Sequence, residues 1–186
     1  MQRMAGFRLS KWSMIMGRPA TLSPLTHPGH MERHGGQGFD DQRHDPYQPA
    51  GKYPEPTHCG QCGAVYRKGR WQWGDAPEGA RSDTCPACRR THDKLPAGRL
   101  IVDGPFVAAH RDDLIGIIHN EAEHERREHP LNRIMQIDEQ EGRIEISTTD
   151  IHLPQRIGEK LQSAYDGELT VKYAENAYGV RLHWHR

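Results

Sequence analysis

Four cysteines are the residues of this chain whose type and spacing most plainly carry chemistry. They stand as Cys59-Gly60-Gln61-Cys62 and Cys85-Pro86-Ala87-Cys88, with twenty-two residues between the pairs. Two residues between cysteines allow one tight turn to present both thiolates to a single ion. Gly63, just after the first pair, suits the backbone turn whose N–H groups donate to sulfur. Four thiolates at ~2.3 Å fill a tetrahedron and leave no position for water. The expectation is therefore a structural Zn2+ bound by Cys59, Cys62, Cys85 and Cys88, with no catalysis at the metal. A redox reading of two C-x-x-C motifs is set aside, because neither pair reads as lying between a strand and a helix. His58 and His92 flank the pairs, but with four thiolates at hand they are not expected as ligands.

A Zn(Cys)4 centre carries a net charge of about −2. Arg67, Lys68, Arg70, Arg81, Arg89, Arg90 and Lys94 surround the motif. They would offset that charge and favour metal loading, or form a phosphate-contacting surface; both roles can hold together. Between the pairs, AVYRKGRWQWG reads as two strands joined at Lys68-Gly69. Alternation puts Trp71 and Trp73 on one face. They would build the small core of the ribbon, or one would stay exposed as a platform for an unpaired base.

The elements that must position these groups follow from composition. Hydrophobic residues make up 34% of the 186, low for one core of that size, so part of the chain is expected to be disordered. Residues 1–54 are read as that part: a disordered or mis-started extension. The first 31 residues hold five of the six methionines and no acidic residue. They resemble a transit peptide only superficially, since no periodic apolar face runs through them. Residues 32–57 are polar and rich in Gly and Pro. The zinc ribbon is expected over 55–95 and a second domain over 98–186. No run of ~18 apolar residues suggests a membrane span, no apolar signal region is evident, and the expected location is the cytoplasm.

From residue 98 the periodicity changes. A strand over 99–103 is followed by a helix over 106–128, strands at 133–138 and 143–148, a helix from about 150 to 165, and strands at 168–173 and 179–185. Thr148, Thr149 and Asp150 are cap candidates for the second helix, and Asp166-Gly167 ends it. The order β-α-β-β-α-β-β predicts an α+β, ferredoxin-like domain with an added strand. Ile144, Ile146, Leu169, Val171, Tyr173, Val180, Leu182 and Trp184 are assigned inward. Arg143, Glu145, Ser147, Thr170, Lys172, Arg181, His183 and His185 are assigned outward. His124 and Glu128, one turn apart, read as a solvated helix face more readily than as a metal site.

Charge is uneven. Residues 51–99 carry nine Lys/Arg against five Asp/Glu, whereas residues 100–186 carry ten against sixteen. A dedicated duplex-DNA binder would be basic throughout. The outer sheet face, more basic than the domain around it, is either a mixed solvated surface or a contact for RNA backbone. It lacks the stacking aromatics of an RRM. The nucleic-acid-binding candidates are Arg67, Lys68, Arg70, Arg89, Arg90, Lys172 and Arg181. No nucleotide-phosphate loop or nucleophile elbow is present, so no enzyme is expected. The alternative is a protein–protein adaptor whose ribbon docks a partner.

The runs Thr148-Thr149-Asp150-Ile151-His152-Leu153, Arg156-Ile157-Gly158, Ala164-Tyr165-Asp166-Gly167-Glu168-Leu169, Tyr173 and Val180-Arg181-Leu182-His183-Trp184 resemble the nonsense-mediated-decay-protein-three family. Its members carry N-terminal four-cysteine zinc modules, and the eukaryotic ones are export adaptors of the large ribosomal subunit. Residues 31–186 also resemble a bacterial zinc-ribbon family related to it. The resemblance implies a large-subunit or RNA partner. The single pair of C-x-x-C motifs, where the larger relatives carry more, separates this chain from the export role.

Overall fold

The computed structural model of the protein describes residues 45–175 and 177–186. The expected extension falls mostly on residues 1–44, outside the described residues. Its last part, 45–54, was expected to be disordered but lies against the ribbon. Tyr53 packs on Tyr66 and Trp71 with ring centroids 5.1 Å apart in each case. Tyr47 hydroxyl donates to Asp93 Oδ2 at 2.8 Å and its ring sits under Arg90. Two tyrosines supply the apolar area that an average over a polar segment hides.

The ribbon comprises β1 (Thr57–Cys59), β2 (Val65–Arg67), β3 (Arg70–Gln72), β4 (Arg81–Asp83) and α1 (Pro86–Asp93). Its sheet runs β3-β2-β1-β4, with β1 and β4 parallel and the other pairs antiparallel. The β2–β3 hairpin turns at Lys68 and Gly69, both with positive φ (55° and 75°). A two-residue hairpin of that handedness matches the twist of its strands, and Gly69 adopts it without strain.

The second sheet is built from β5 (Gly98–Asp103), β6 (Ile134–Gln140), β7 (Arg143–Thr148), β8 (Glu168–Tyr173) and β9 (Val180–His185). The helices are α2 (Pro105–Ala109), α3 (Arg111–Glu128) and α4 (Leu153–Tyr165). The expected single helix over 106–128 is broken at His110 (φ −122°, ψ 21°). The His110 ring stacks on Phe106, and its Nδ1 lies 3.0 Å from the Phe106 carbonyl oxygen. That local bond competes with the helical ladder.

Strand order is β6-β7-β5-β9-β8, and β9 runs parallel to β5. This departs from the ferredoxin-like expectation, in which the strand after the second helix lies beside the first strand. Here β8 goes to the edge and the last strand, β9, takes the inner place. The reason is apolar content: Val180, Leu182 and Trp184 of β9 are all buried, whereas β8 half-buries only Leu169. Val171 and Tyr173, assigned inward, are 43% and 48% exposed, because β8 is an edge strand with a neighbouring strand on one side only. Leu100, Val102, Leu114, Ile118, Ile144, Ile146, Ile157, Leu161, Leu182 and Trp184 form the core between sheet and helices.

The described residues cluster as one compact unit. The ribbon keeps a separate hydrophobic cluster around its cysteines, Tyr66 and Trp71, but Leu131 of the second domain packs into it. No described helix is long and apolar enough to cross a membrane.

Candidate metal centre and nucleic-acid interface

Each cysteine reaches the centre by a different local device. Cys59 ends β1 and Cys62 follows in a turn closed by Gly63 N–H donating to the Cys59 carbonyl (2.9 Å), with Gly63 at φ 78°. Cys85 follows β4 and caps α1, its Sγ accepting from Cys88 N–H at 3.5 Å, with Pro86 opening the helix. The second pair therefore does lie between a strand and a helix, contrary to the reading from sequence. Pro86 at the first helical position is the start signal that marks it.

The four sulfurs lie within 4.8 Å of one another. Cys59 and Cys88 Sγ are 3.8 Å apart, and Cys62 and Cys85 Sγ are 3.7 Å apart. Tetrahedral thiolates at ~2.3 Å from a zinc have edges of about 3.8 Å, so the four residues fit such an ion. No histidine belongs to the group. The closely spaced sulfurs shift one another's pKa values. Cys62 is lowered to about 4, first by the hydrogen bond from the Cys85 thiol and against the effect of burial. Cys85 is pushed far up by that same bond and by burial. Burial also raises Cys88, although Arg133 opposes it.

Arg133 is the residue at this site that the sequence did not single out. It immediately precedes β6 in the second domain. Its Nη2 donates to Cys85 Sγ at 3.3 Å and to Cys88 Sγ at 3.4 Å. Thr149 holds it: Arg133 N–H donates to Thr149 Oγ1, and Thr149 N–H donates to the Arg133 carbonyl, both at 2.9 Å. Thr148 Oγ1 donates to the Asp150 carbonyl (2.7 Å), while Asp150 Oδ2 accepts from the N–H groups of His152 (2.7 Å) and Leu153 (3.0 Å) at the start of α4. The buried Thr148-Thr149-Asp150 run thus aligns Arg133 with the sulfurs and caps a helix.

The ribbon's other candidates divide. Arg67, Lys68 and Arg70 are exposed at the β2–β3 hairpin. Arg89 forms an exposed pair with Asp83 (2.7 Å). Arg90 is not available to a nucleic acid: it is 3% exposed and donates to the Leu95 carbonyl and Asp45 carboxylate. It reads as a nucleic-acid contact from sequence, which shows its charge and not the Asp45 and Tyr47 that cover it. Trp71 is buried at 8% exposure. Trp73 Nε1 donates to the Arg126 carbonyl (2.5 Å) with the Arg126 guanidinium over its ring. Both indoles are thus engaged within the protein.

On the second sheet, register aligns Lys172 with Arg181 and Arg181 with Arg99 across β8, β9 and β5. All three are exposed, on the face opposite the helices. Arg99 is partly occupied by Glu145 at 2.9 Å. At the far end of the same face lie His183, His185 and Asp103. Among the described residues, no group of metal-compatible spacing includes His124 or Glu128. No protein-family model matches the chain, and no curated protein or solved structure matches it.

Proposed function

We propose that the protein is a non-enzymatic zinc-ribbon protein that binds RNA backbone, with RNA of the large ribosomal subunit as its expected partner. In this reading the metal is Zn2+ and structural: it holds β1, β4 and α1 together and presents the Arg67-Lys68-Arg70 hairpin. The observation that carries the reading is the exposed row Lys172, Arg181 and Arg99 on the sheet face opposite α3 and α4. Rows of Lys and Arg on an open surface neutralise phosphates without reading bases. The inner place of β9, beside β5, is what brings Arg181 next to Arg99.

Salt titration tests the proposal. Five contacts from Arg67, Lys68, Arg70, Lys172 and Arg181 give a slope of log K against log salt of about −3.5 on single-stranded RNA. Affinity should fall about a hundredfold between 50 and 200 mM salt. Changing Lys172 and Arg181 to Gln should reduce the slope by about 1.4. Failure to bind RNA at low salt, together with absence from every ribosomal fraction on a gradient, overturns it. A second reading, an adaptor for a protein partner, is favoured by one observation: edge strand β8 exposes Val171 and Tyr173. Edge strands are ready templates for strand addition. Salt-insensitive capture of a protein with no RNA binding would select it.

A further inference from the structure

We propose that Asp103, His183 and His185 form a second metal site, distinct from the cysteines, that takes a divalent first-row transition ion on the open face of the five-stranded sheet. His183 and His185 are two apart on β9, so strand alternation puts both imidazoles on one face. Parallel pairing sets Asp103 of β5 beside His185, and Ile101 beside His183. His185 Nδ1 and His183 Nε2 each lie 2.8 Å from the same oxygen, Asp103 Oδ1. Three ligand atoms from three side chains therefore converge within 4.8 Å.

A plain His–Asp contact leaves part of this arrangement unexplained. His185 makes a hydrogen bond to Asp103. His183 Nε2, which is buried, meets the same oxygen at 2.8 Å but without hydrogen-bond alignment, although its ring is partly exposed. A poorly aligned contact satisfies a buried imidazole nitrogen only in part, and a metal ion held between the two rings and the carboxylate would serve all three groups. The spacing fits with little movement. Ligands at ~2.1 Å in octahedral array are about 3.0 Å apart, close to the observed 2.8 Å. Neighbouring cations are engaged elsewhere. Arg143, opposite Asp103 in register, directs Nη2 to Glu145 at 3.4 Å, and Arg186 is held by the Tyr165 carbonyl and the Phe106 ring. Glu168 lies opposite His185 on β8 and adds negative charge.

Two imidazoles and a carboxylate suit Zn2+, Co2+, Ni2+ or Cu2+ and disfavour Mg2+. Unlike the cysteine centre, three protein ligands on an open face leave coordination positions for water or an incoming oxygen or nitrogen ligand. The test uses untagged full-length protein whose cysteine centre has first been filled with one equivalent of Zn2+. Co2+ is then titrated and followed by visible absorption and by paramagnetic broadening of histidine resonances. A second equivalent should bind without a thiolate-to-cobalt charge-transfer band and should broaden His183 and His185. In His183→Ala, His185→Asn and Asp103→Asn the second equivalent should be lost, with the first zinc and the far-UV circular dichroism unchanged. Retention of the second equivalent in all three folded variants, or saturation of the wild type at one metal, overturns the proposal.

Discussion

Removing the guanidinium of Arg133 while keeping its packing, as in Arg133→Met, should weaken metal binding at the four cysteines without touching a ligand. One Nη2 donates to two sulfurs, at 3.3 and 3.4 Å, so it counts as one shared bond. A hydrogen bond to a charged acceptor contributes about 1.5–3 kcal/mol, which corresponds to roughly ten- to a hundredfold in affinity, as for other groups that support metal ligands. The metal-loaded centre is the anionic state, so the loss falls on loading. Arg133→Lys keeps the charge but not the fork and should recover part of it. Arg89→Met is the control: Arg89 lies beside the same motif but pairs with Asp83 on the surface, where ion pairs contribute about 0–1 kcal/mol. Competition against a chromophoric zinc chelator measures all three. If Arg133→Met stays within about twofold of wild type, or if Arg89→Met loses as much, the argument that the second domain supports the metal through Arg133 is refuted.

Cys62→Ser or Cys88→Ser should abolish stoichiometric zinc and unfold residues 55–95, while the five-stranded sheet persists, since its core cluster contains no ribbon residue; hydrogen exchange resolved by segment reads both. Asp150 is buried, and desolvation pushes its carboxyl above the ordinary value despite the N–H bonds from Leu153 and His152. The folded state therefore holds that proton more tightly than the unfolded chain, and acidification through the raised folded pKa relieves a cost present at neutral pH. Asp150→Asn, which keeps the cap acceptor, should be at least as stable as wild type at pH 7, with the difference shrinking as pH falls toward 4; chemical denaturation at several pH values decides, and a variant that is less stable at pH 7 by the same amount at every pH contradicts it. Gly98→Ala should destabilise by about 1–3 kcal/mol, because a Cβ there would stand 2.6 Å from Pro154 Cγ and 2.7 Å from the Asp150 carbonyl oxygen; an unchanged melting temperature would show that this contact yields freely.

Local chemistry was legible in the sequence wherever a short run specifies its own geometry. Two C-x-x-C turns, the Lys68-Gly69 hairpin, the Asp150 cap and the alternation of β7 and β9 each depend on neighbours within a few residues. The same holds for the metal fit: four cysteines of the right spacing can reach one point once any ribbon forms. What sequence could not supply was the pairing of distant segments. Arg90 reads as a surface cation until Asp45 and Tyr47 close over it. Arg133 reads as a strand-start residue until Thr149 holds its backbone beside the sulfurs. Val171 and Tyr173 read as core because alternation tells which face a residue takes and not whether its strand lies at the sheet edge. The place of β9 between β5 and β8 was decided by competition among strands for burial. That one choice sets Arg181 beside Arg99 and brings Asp103 to the two histidines, so the sheet face acquired both of its candidate sites only in three dimensions.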